Sequence, residues 1–339
     1  MKKLLLILLA VSSVVVAQNV QYIDALNSDV YTIVSSNDSI SFCKIGRDYT
    51  PKPVVIWCPG STPQALIVNR NDSSFVWGCI PKCDWQLVSR DFHIVVIGNP
   101  SVPPVVQERQ LNNSWAYITD RNNPHSYPQG YLTGNYMENY VKRGNAVIDH
   151  LRHQKWVTDI CVAGHSQGSK IAVRLAKNKH VKAVGAFSIN PLGRVDEFVR
   201  RARLQAVEGK ITDDEAQKQI DKIYNYWQNV CDSPEMESEH GEDSHKTAYS
   251  FSVPTLDIML NLKVPIYVAY GTKDVTAGYC DLLPIDFIRA KKQGWKVVPY
   301  LNMEHNFMVV KPNGEVDRTD YHFPKVMNDF FMWLQGVLK

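Results

Sequence analysis

"DICVAGHSQGSK", Asp159 to Lys170, decides how the rest of the chain is read. Its apolar run from Ile160 to Ala163 has the uniform character of a strand buried on both faces, and it stops at a glycine. Gly164-His165-Ser166-Gln167-Gly168 follows, and a helical pattern starts at Lys170. In a tight strand-to-helix turn of this kind the central serine projects its hydroxyl from the carboxyl edge of a sheet. The two glycines then have a steric purpose, because strand and helix backbones come so close that a side chain at either place would collide. A serine in an ordinary turn would leave both glycines unexplained.

Working outward, short apolar runs recur at Pro53 to Cys58, Phe92 to Gly98, Val181 to Ile189, Val264 to Gly271 and Trp295 to Asn302. Helical patterns lie at Met137 to Arg152, Lys170 to Lys177, Leu283 to Lys292 and Lys325 to Leu338. Strand and helix in alternation predict an α/β domain whose mostly parallel sheet is flanked by helices. Ahead of it, "DVYTIVSS" and "SISFCKIG" alternate apolar and polar residues around Asn37-Asp38, which reads as an opening hairpin.

Two segments break the alternation. Asn112 to Tyr136 is polar with scattered aromatics and is punctuated by Pro124, Pro128, Gly130 and Gly134, so it reads as a long loop, assigned to the rim of a site. Leu192 to Pro254 carries helical stripes instead. Val195, Phe198, Val199 and Ala202 form one, and Ala216, Ile220, Ile223, Trp227 and Val230 form another behind a capping box from Thr212 to Glu215. This predicts a helical cap inserted over about 192–254. Its acidic tail, Cys231 to Ala248, reads as a surface loop in which His240 and His245 belong to a solvated face rather than to a metal site. Arg200, Arg201 and Arg203 read the same way, with contact to an acidic substrate group as the alternative.

A serine hydroxyl is a weak nucleophile until a positioned base takes its proton, and the base needs an acid to fix its tautomer. "VAYGTKDVTAG" places Asp274 just beyond one apolar run and "VVPYLNMEHNFM" places His305 just beyond the next, in the chain order Ser, Asp, His expected for such a sheet. Asp281 and Glu304 are the rival carboxylates, and His165, His93 and His322 the rival imidazoles. From Pro53 onward the chain resembles the α/β-hydrolase superfamily, particularly its serine esterase, dienelactone-hydrolase-like and prolyl-oligopeptidase-like branches, with the insert the least similar part. The resemblance implies Ser166 as nucleophile, Asp274 as acid and His305 as general base. An oxyanion needs backbone N–H donors. One is the N–H of Gln167, after the nucleophile. By the match of "WCPGSTPQ" to a loop that relatives fill with His-Gly-x, the other is the N–H of Ser61, although Pro59 stands where the His is usual.

Composition limits what the site serves. The 339 residues are 45% hydrophobic and 21% charged, which suits one large globular domain, 18–339, with an insertion. Met1-Lys2-Lys3 and the apolar run from Leu4 to Ala17 read as an export signal over residues 1–17, which makes the protein periplasmic or secreted, with no stable membrane insertion after cleavage. Without Lys2 and Lys3 the formal charge falls from +3 to +1, too small a field for a nucleic-acid partner. Of seven cysteines, Cys79 and Cys83 are close enough for a local disulfide, whereas Cys58 and Cys161 read as buried thiols, and no spacing suggests zinc. The expectation is an exported serine hydrolase, cofactor-free and metal-free, acting on a small-molecule or peptide acyl substrate and most simply on a carboxylic ester. An aminopeptidase-like serine peptidase and a binding protein on a hydrolase fold are the alternatives. The stretch from Gln18 to about Lys52 is too short for the propeller that prolyl-oligopeptidase relatives carry.

Overall fold

A computed structural model describes residues 27–71, 73–78, 81, 83, 85–237 and 243–339, with the backbone alone at 16–23 and 85–87. The expected leader lies outside the described residues apart from its last two, whose backbone begins the first strand. Cys79 and His240 also lie outside them.

Three antiparallel strands open the chain: β1 (Val16–Ile23), β2 (Ser28–Ser35) and β3 (Asp38–Ile45). The β2–β3 turn sits one residue earlier than expected. Ser36 and Asn37 carry it with φ of 48° and 65°, the double left-handed turn that matches the twist of paired strands. Asp38 is already paired across from Ser35, and its carboxylate takes the buried Arg143 guanidinium at 2.6 Å.

The alternating part follows as β4 (Lys52–Cys58), β5 (Ile67–Arg70), β6 (Ser73–Val76), α1 (Trp85–Asp91), β7 (His93–Ile97), β8 (Val105–Gln107), α2 (Gln129–Gly134), α3 (Met137–Leu151), β9 (Val157–His165), α4 (Gln167–Leu175) and β10 (Val181–Phe187). Beyond it come α5 (Arg194–Val207), α6 (Asp213–Asp232), α7 (His245–Ser252), α8 (Leu256–Asn261), β11 (Ile266–Gly271), α9 (Ala277–Cys280), α10 (Leu283–Arg289), β12 (Trp295–Tyr300), β13 (Met308–Val310), β14 (Val316–Tyr321) and α11 (Phe323–Val337). The main sheet runs in the order β1-β2-β3-β7-β4-β9-β10-β11-β12. Every pairing from β7 to β12 is parallel. Sheet twist and helical crossovers thus bring the carboxyl ends of β4, β9, β10, β11 and β12 to one edge.

The uniform apolar runs split by strand periodicity between two cores. Val54, Ile56, Val162 and Val268 face α3, α4 and α10, while Val55, Trp57, Ala163 and Tyr267 face α11. Helices cover both faces, which is why those strands show no polar alternation. Cys58 and Cys161 are fully buried, and burial pushes the Cys161 thiol up to about 12.

Between β10 and β11 the chain leaves the sheet for α5, α6 and α7. Thr212 caps α6 reciprocally: its hydroxyl accepts the Glu215 N–H at 3.2 Å and the Glu215 carboxylate accepts the Thr212 N–H at 2.8 Å. Part of the tail read as a surface loop is helical instead. Ser244 caps α7 by accepting the Thr247 N–H at 3.0 Å, and Ala248 and Phe251 give that helix a buried side. The departure and return points are stitched together, because Pro191 O accepts the N–H groups of Thr255 at 2.9 Å and Leu256 at 3.1 Å. Among the described residues, no helix is long and apolar enough to cross a membrane.

Candidate active site

The turn from β9 into α4 is as tight as its glycines require. Ser166 sits at φ 56°, ψ −123°, a conformation that costs an L-residue on the order of 1–3 kcal/mol and persists only where surroundings enforce it. A Cβ on Gly164 would lie 2.3 Å from Gly168 carbonyl atoms, and one on Gly168 would lie 2.5 Å from Cys58 O. The helix starts at Gln167, three residues before the apolar pattern shows it. Its first N–H groups therefore open at the serine.

His305 lies in the loop after β12 and Asp274 in the loop after β11. A bare Gly271 lets these loops meet, since a Cβ there would stand 2.2 Å from Met303 O. His305 Nδ1 donates to Asp274 Oδ2 at 2.7 Å, and Asp274 Oδ1 accepts the Thr276 N–H at 3.0 Å. Asp274 has no side-chain exposure, whereas the His305 side chain keeps 34%. Burial alone would raise the Asp274 pKa, but the His305 hydrogen bond and charge outweigh it and hold the carboxyl below its ordinary value. Burial alone would lower that of His305, and the Asp274 hydrogen bond and charge hold it above instead. The backbone of His305 is fixed as well, because its carbonyl accepts His165 Nε2–H and the Ser188 hydroxyl, each at 2.8 Å.

Ser166, His305, Gln167 and Ser61 line one cleft of about 260 Å³. Among the described residues, neither the Gln167 nor the Ser61 backbone N–H has an acceptor in the protein. The rival groups are engaged elsewhere. Asp281 accepts the Tyr270 hydroxyl, Glu304 accepts the N–H groups of Asn306 and Met308, His93 donates to Thr50 O, and His322 pairs with Asp320. His165 is spent on the His305 carbonyl. Burial lowers its pKa to about 3, so the ring is neutral.

Sequence reasoning missed the remaining lining. Lys170, Ser188, Asn190, Arg194, Glu197, Phe198, Asp243 and Phe251 complete the cleft. Lys170 is the least expected, being a lysine on the covered side of α4 with only 5% exposure. Its Nζ donates to Leu192 O at 3.2 Å and Phe251 O at 2.6 Å, tying both stems of the insert to the helix that follows Ser166. Burial pushes its pKa down to about 7. The arginines singled out from the sequence do not line the cleft. Arg200 donates to Val275 O at 2.6 Å, Arg201 pairs with Glu197 at 2.6 Å, and Arg203 reaches Gln217. Their neighbour Arg194 lines it instead, paired with Asp243. The aromatic loop, expected at the rim, contributes no lining residue, though its Tyr131 hydroxyl donates to Ser61 O. His245 donates to Ser233 O at 3.1 Å, and among the described residues no three His, Cys, Asp or Glu side chains are grouped to hold a metal.

No family model matches the sequence, and no curated protein matches it. Solved structures do resemble it. Est1E from Butyrivibrio proteoclasticus, with ferulic acid bound, aligns at a TM-score of 0.52 with 13% identity, covering 91% of this chain and 98% of that one. A putative dienelactone hydrolase from Klebsiella pneumoniae subsp. pneumoniae aligns at 0.52 with 14% identity, covering 90% and 98%. An esterase from Pyrococcus furiosus aligns at 0.50 with 12% identity, covering 93% and 92%. The mostly parallel sheet with flanking helices is the α/β-hydrolase fold.

Proposed function

We propose that this protein is an exported serine hydrolase that cleaves an acyl bond, a carboxylic ester in the first instance, through an acyl-enzyme. The carrying observation is the 2.7 Å pair between a buried Asp274 and His305, the imidazole of which lines the same cleft as a serine at positive φ. In this reading Ser166 Oγ attacks the substrate carbonyl while neutral His305, through Nε2, takes the hydroxyl proton. Asp274 holds the tautomer that presents Nε2 and stabilises the imidazolium as it forms. The carbonyl oxygen becomes an oxyanion facing the N–H groups of Gln167 and Ser61, and a fixed pair of donors costs no reorganisation when that charge develops. His305 then returns the proton to the leaving oxygen. A water deprotonated by the same imidazole hydrolyses the acyl-enzyme and regenerates Ser166.

Two structural neighbours are by name an esterase and a putative dienelactone hydrolase, which supports an ester over an amide. The cleft offers a substrate polar groups together with the apolar surface of Phe198 and Phe251. The test is labelling with a fluorophosphonate, read by mass spectrometry at Ser166, followed by turnover on a panel of esters and aminoacyl amides. Absence of labelling in the folded protein would remove the reading. Export is tested by sequencing the N-terminus of extracytoplasmic protein, which should begin at Gln18.

A further inference from the structure

Two buried polar side chains from the aromatic loop support the residues proposed above as oxyanion donors, and they do so from behind. Tyr131, on α2, donates its hydroxyl to Ser61 O at 2.6 Å. Asn135, just past α2, accepts the Gln167 side-chain amide on Oδ1 at 3.3 Å. A third bridge closes the space between them. Asn99 donates to Thr62 O at 3.0 Å and Gln64 O at 3.3 Å, and the Tyr140 hydroxyl stands 3.1 Å from Asn99 Oδ1 and 3.2 Å from Asn135 Oδ1, its one proton shared between them. Tyr131, Asn135, Asn99 and Tyr140 are 3%, 5%, 4% and 2% exposed. None of the four lines the cleft.

Burying so many polar groups costs free energy unless each finds a partner, and here the partners lie in the two segments that must stay in register. Each peptide plane joins one residue's carbonyl to the next residue's N–H, so tying Ser61 O and Thr62 O fixes the two planes that follow Ser61. The Ser61 N–H, in the plane before them, is then left only the rotations of that one residue, which narrows the direction of the donor. Gln167 is held through its side chain, on the opposite wall. The insert joins the same junction, because the Thr247 hydroxyl of α7 donates to Asn135 O at 2.6 Å and Ser250 Oγ accepts the Met137 N–H at 3.1 Å.

We propose that Tyr131 and Asn135 are positioning residues that set the spacing of the two oxyanion donors, and that this is the role of the long loop from Asn112 to Tyr136. The proposal rests on the serine hydrolase reading. Its test is a kcat against KM split in Tyr131→Phe and Asn135→Leu, together with the affinity of a trifluoromethyl ketone, whose adduct with a serine carries an oxyanion. Removing an oxyanion donor outright costs about 10²–10³ in kcat. Loosening one should cost less, on the order of tenfold per variant, with KM within twofold of the parent and ketone affinity reduced by the same factor as kcat/KM. Tyr131→Phe removes a single oxygen, so it carries the test if Asn135→Leu does not fold. Unchanged kcat and ketone affinity in folded Tyr131→Phe, or a rise in KM alone, would overturn the proposal. Ser166→Ala in the same assay separates the two ideas: full turnover there removes the hydrolase reading itself, whereas a dead Ser166→Ala beside a wild-type Tyr131→Phe removes only the positioning role.

Discussion

His305 and Asp274 meet at 2.7 Å across a carboxylate with no side-chain exposure, and each holds the other in its charged form against burial. The imidazole works as a base only when neutral. Because its pKa is held above the ordinary value of about 6.5, kcat/KM should rise with pH through a midpoint above that value. Asp274→Asn should move the midpoint down and lower turnover by about 10⁴, the loss seen for the same change in another serine hydrolase. A midpoint unmoved in Asp274→Asn would detach the acid from the base.

Ser166→Ala and His305→Ala should each lower turnover by several orders of magnitude, and the double variant should be scarcely worse than either. Groups that act as one unit are grossly non-additive when removed singly. Multiplying losses in the double variant would show that the two side chains act separately.

Glu304→Gln and Asp281→Asn are the internal controls. Glu304 shapes the turn beneath His305 by accepting two backbone N–H groups, and Asp281 accepts a tyrosine hydroxyl. Initial rates within about threefold of the parent are expected for both. A collapse of either one beside an active Asp274→Asn would reassign the acid.

Gly164→Ala should fail as a fold rather than as a catalyst. Its methyl would sit 2.3 Å from backbone carbonyl atoms of Gly168, which cannot swing aside as a flexible side chain can. A loss of at least 1–3 kcal/mol in denaturant unfolding is expected, with fluorophosphonate labelling lost in parallel. Labelling at the parent rate would mean that the turn is looser than its backbone contacts indicate.

Acid stability should carry the mark of His165. Its folded pKa of about 3 lies below the unfolded value of about 6.5, so the unfolded chain binds the proton first. Stability from this residue is full above pH 6.5 and is lost as pH falls from there toward 3, with a limiting slope of about 1.4 kcal/mol per pH unit. His165→Gln keeps a donor for His305 O without a titrating ring. Its unfolding free energy should therefore decline less steeply over that range, and identical slopes would exclude the mechanism.

What could be read from the chain follows how strongly each element is marked. The six parallel strands are legible because burial on both faces demands unbroken apolar residues. The α6 start is legible because Thr212 and Glu215 satisfy each other locally. Other elements leave no such trace. β14 is mostly exposed and reads VDRTDY, without an apolar face. β5 and β6 are four residues each, too short for alternation to register. At the site, Ser166, Asp274 and His305 announce themselves by following apolar strands, β9, β11 and β12 in turn, whereas Lys170, Arg194 and Glu197 take their places from how the insert folds over α4, which no local pattern encodes. Asn135 and Tyr131 sat in a stretch read as a loop at the rim, whereas 129–134 of it is the helix α2 and none of it lines the cleft. Their signal, a tyrosine and an asparagine among other polar residues, acquires meaning only from the partners they reach across the fold.

The two N–H groups stitched onto Pro191 O make residues 192–254 an excursion that begins and ends at one point of the sheet. Closing a longer loop between fixed ends costs little, about 0.6 kcal/mol for each doubling of its length. Descendants of this chain can therefore lengthen, trim or exchange the excursion as a cassette while the sheet keeps its register. A single protease cut within it should leave two fragments that co-purify as one particle.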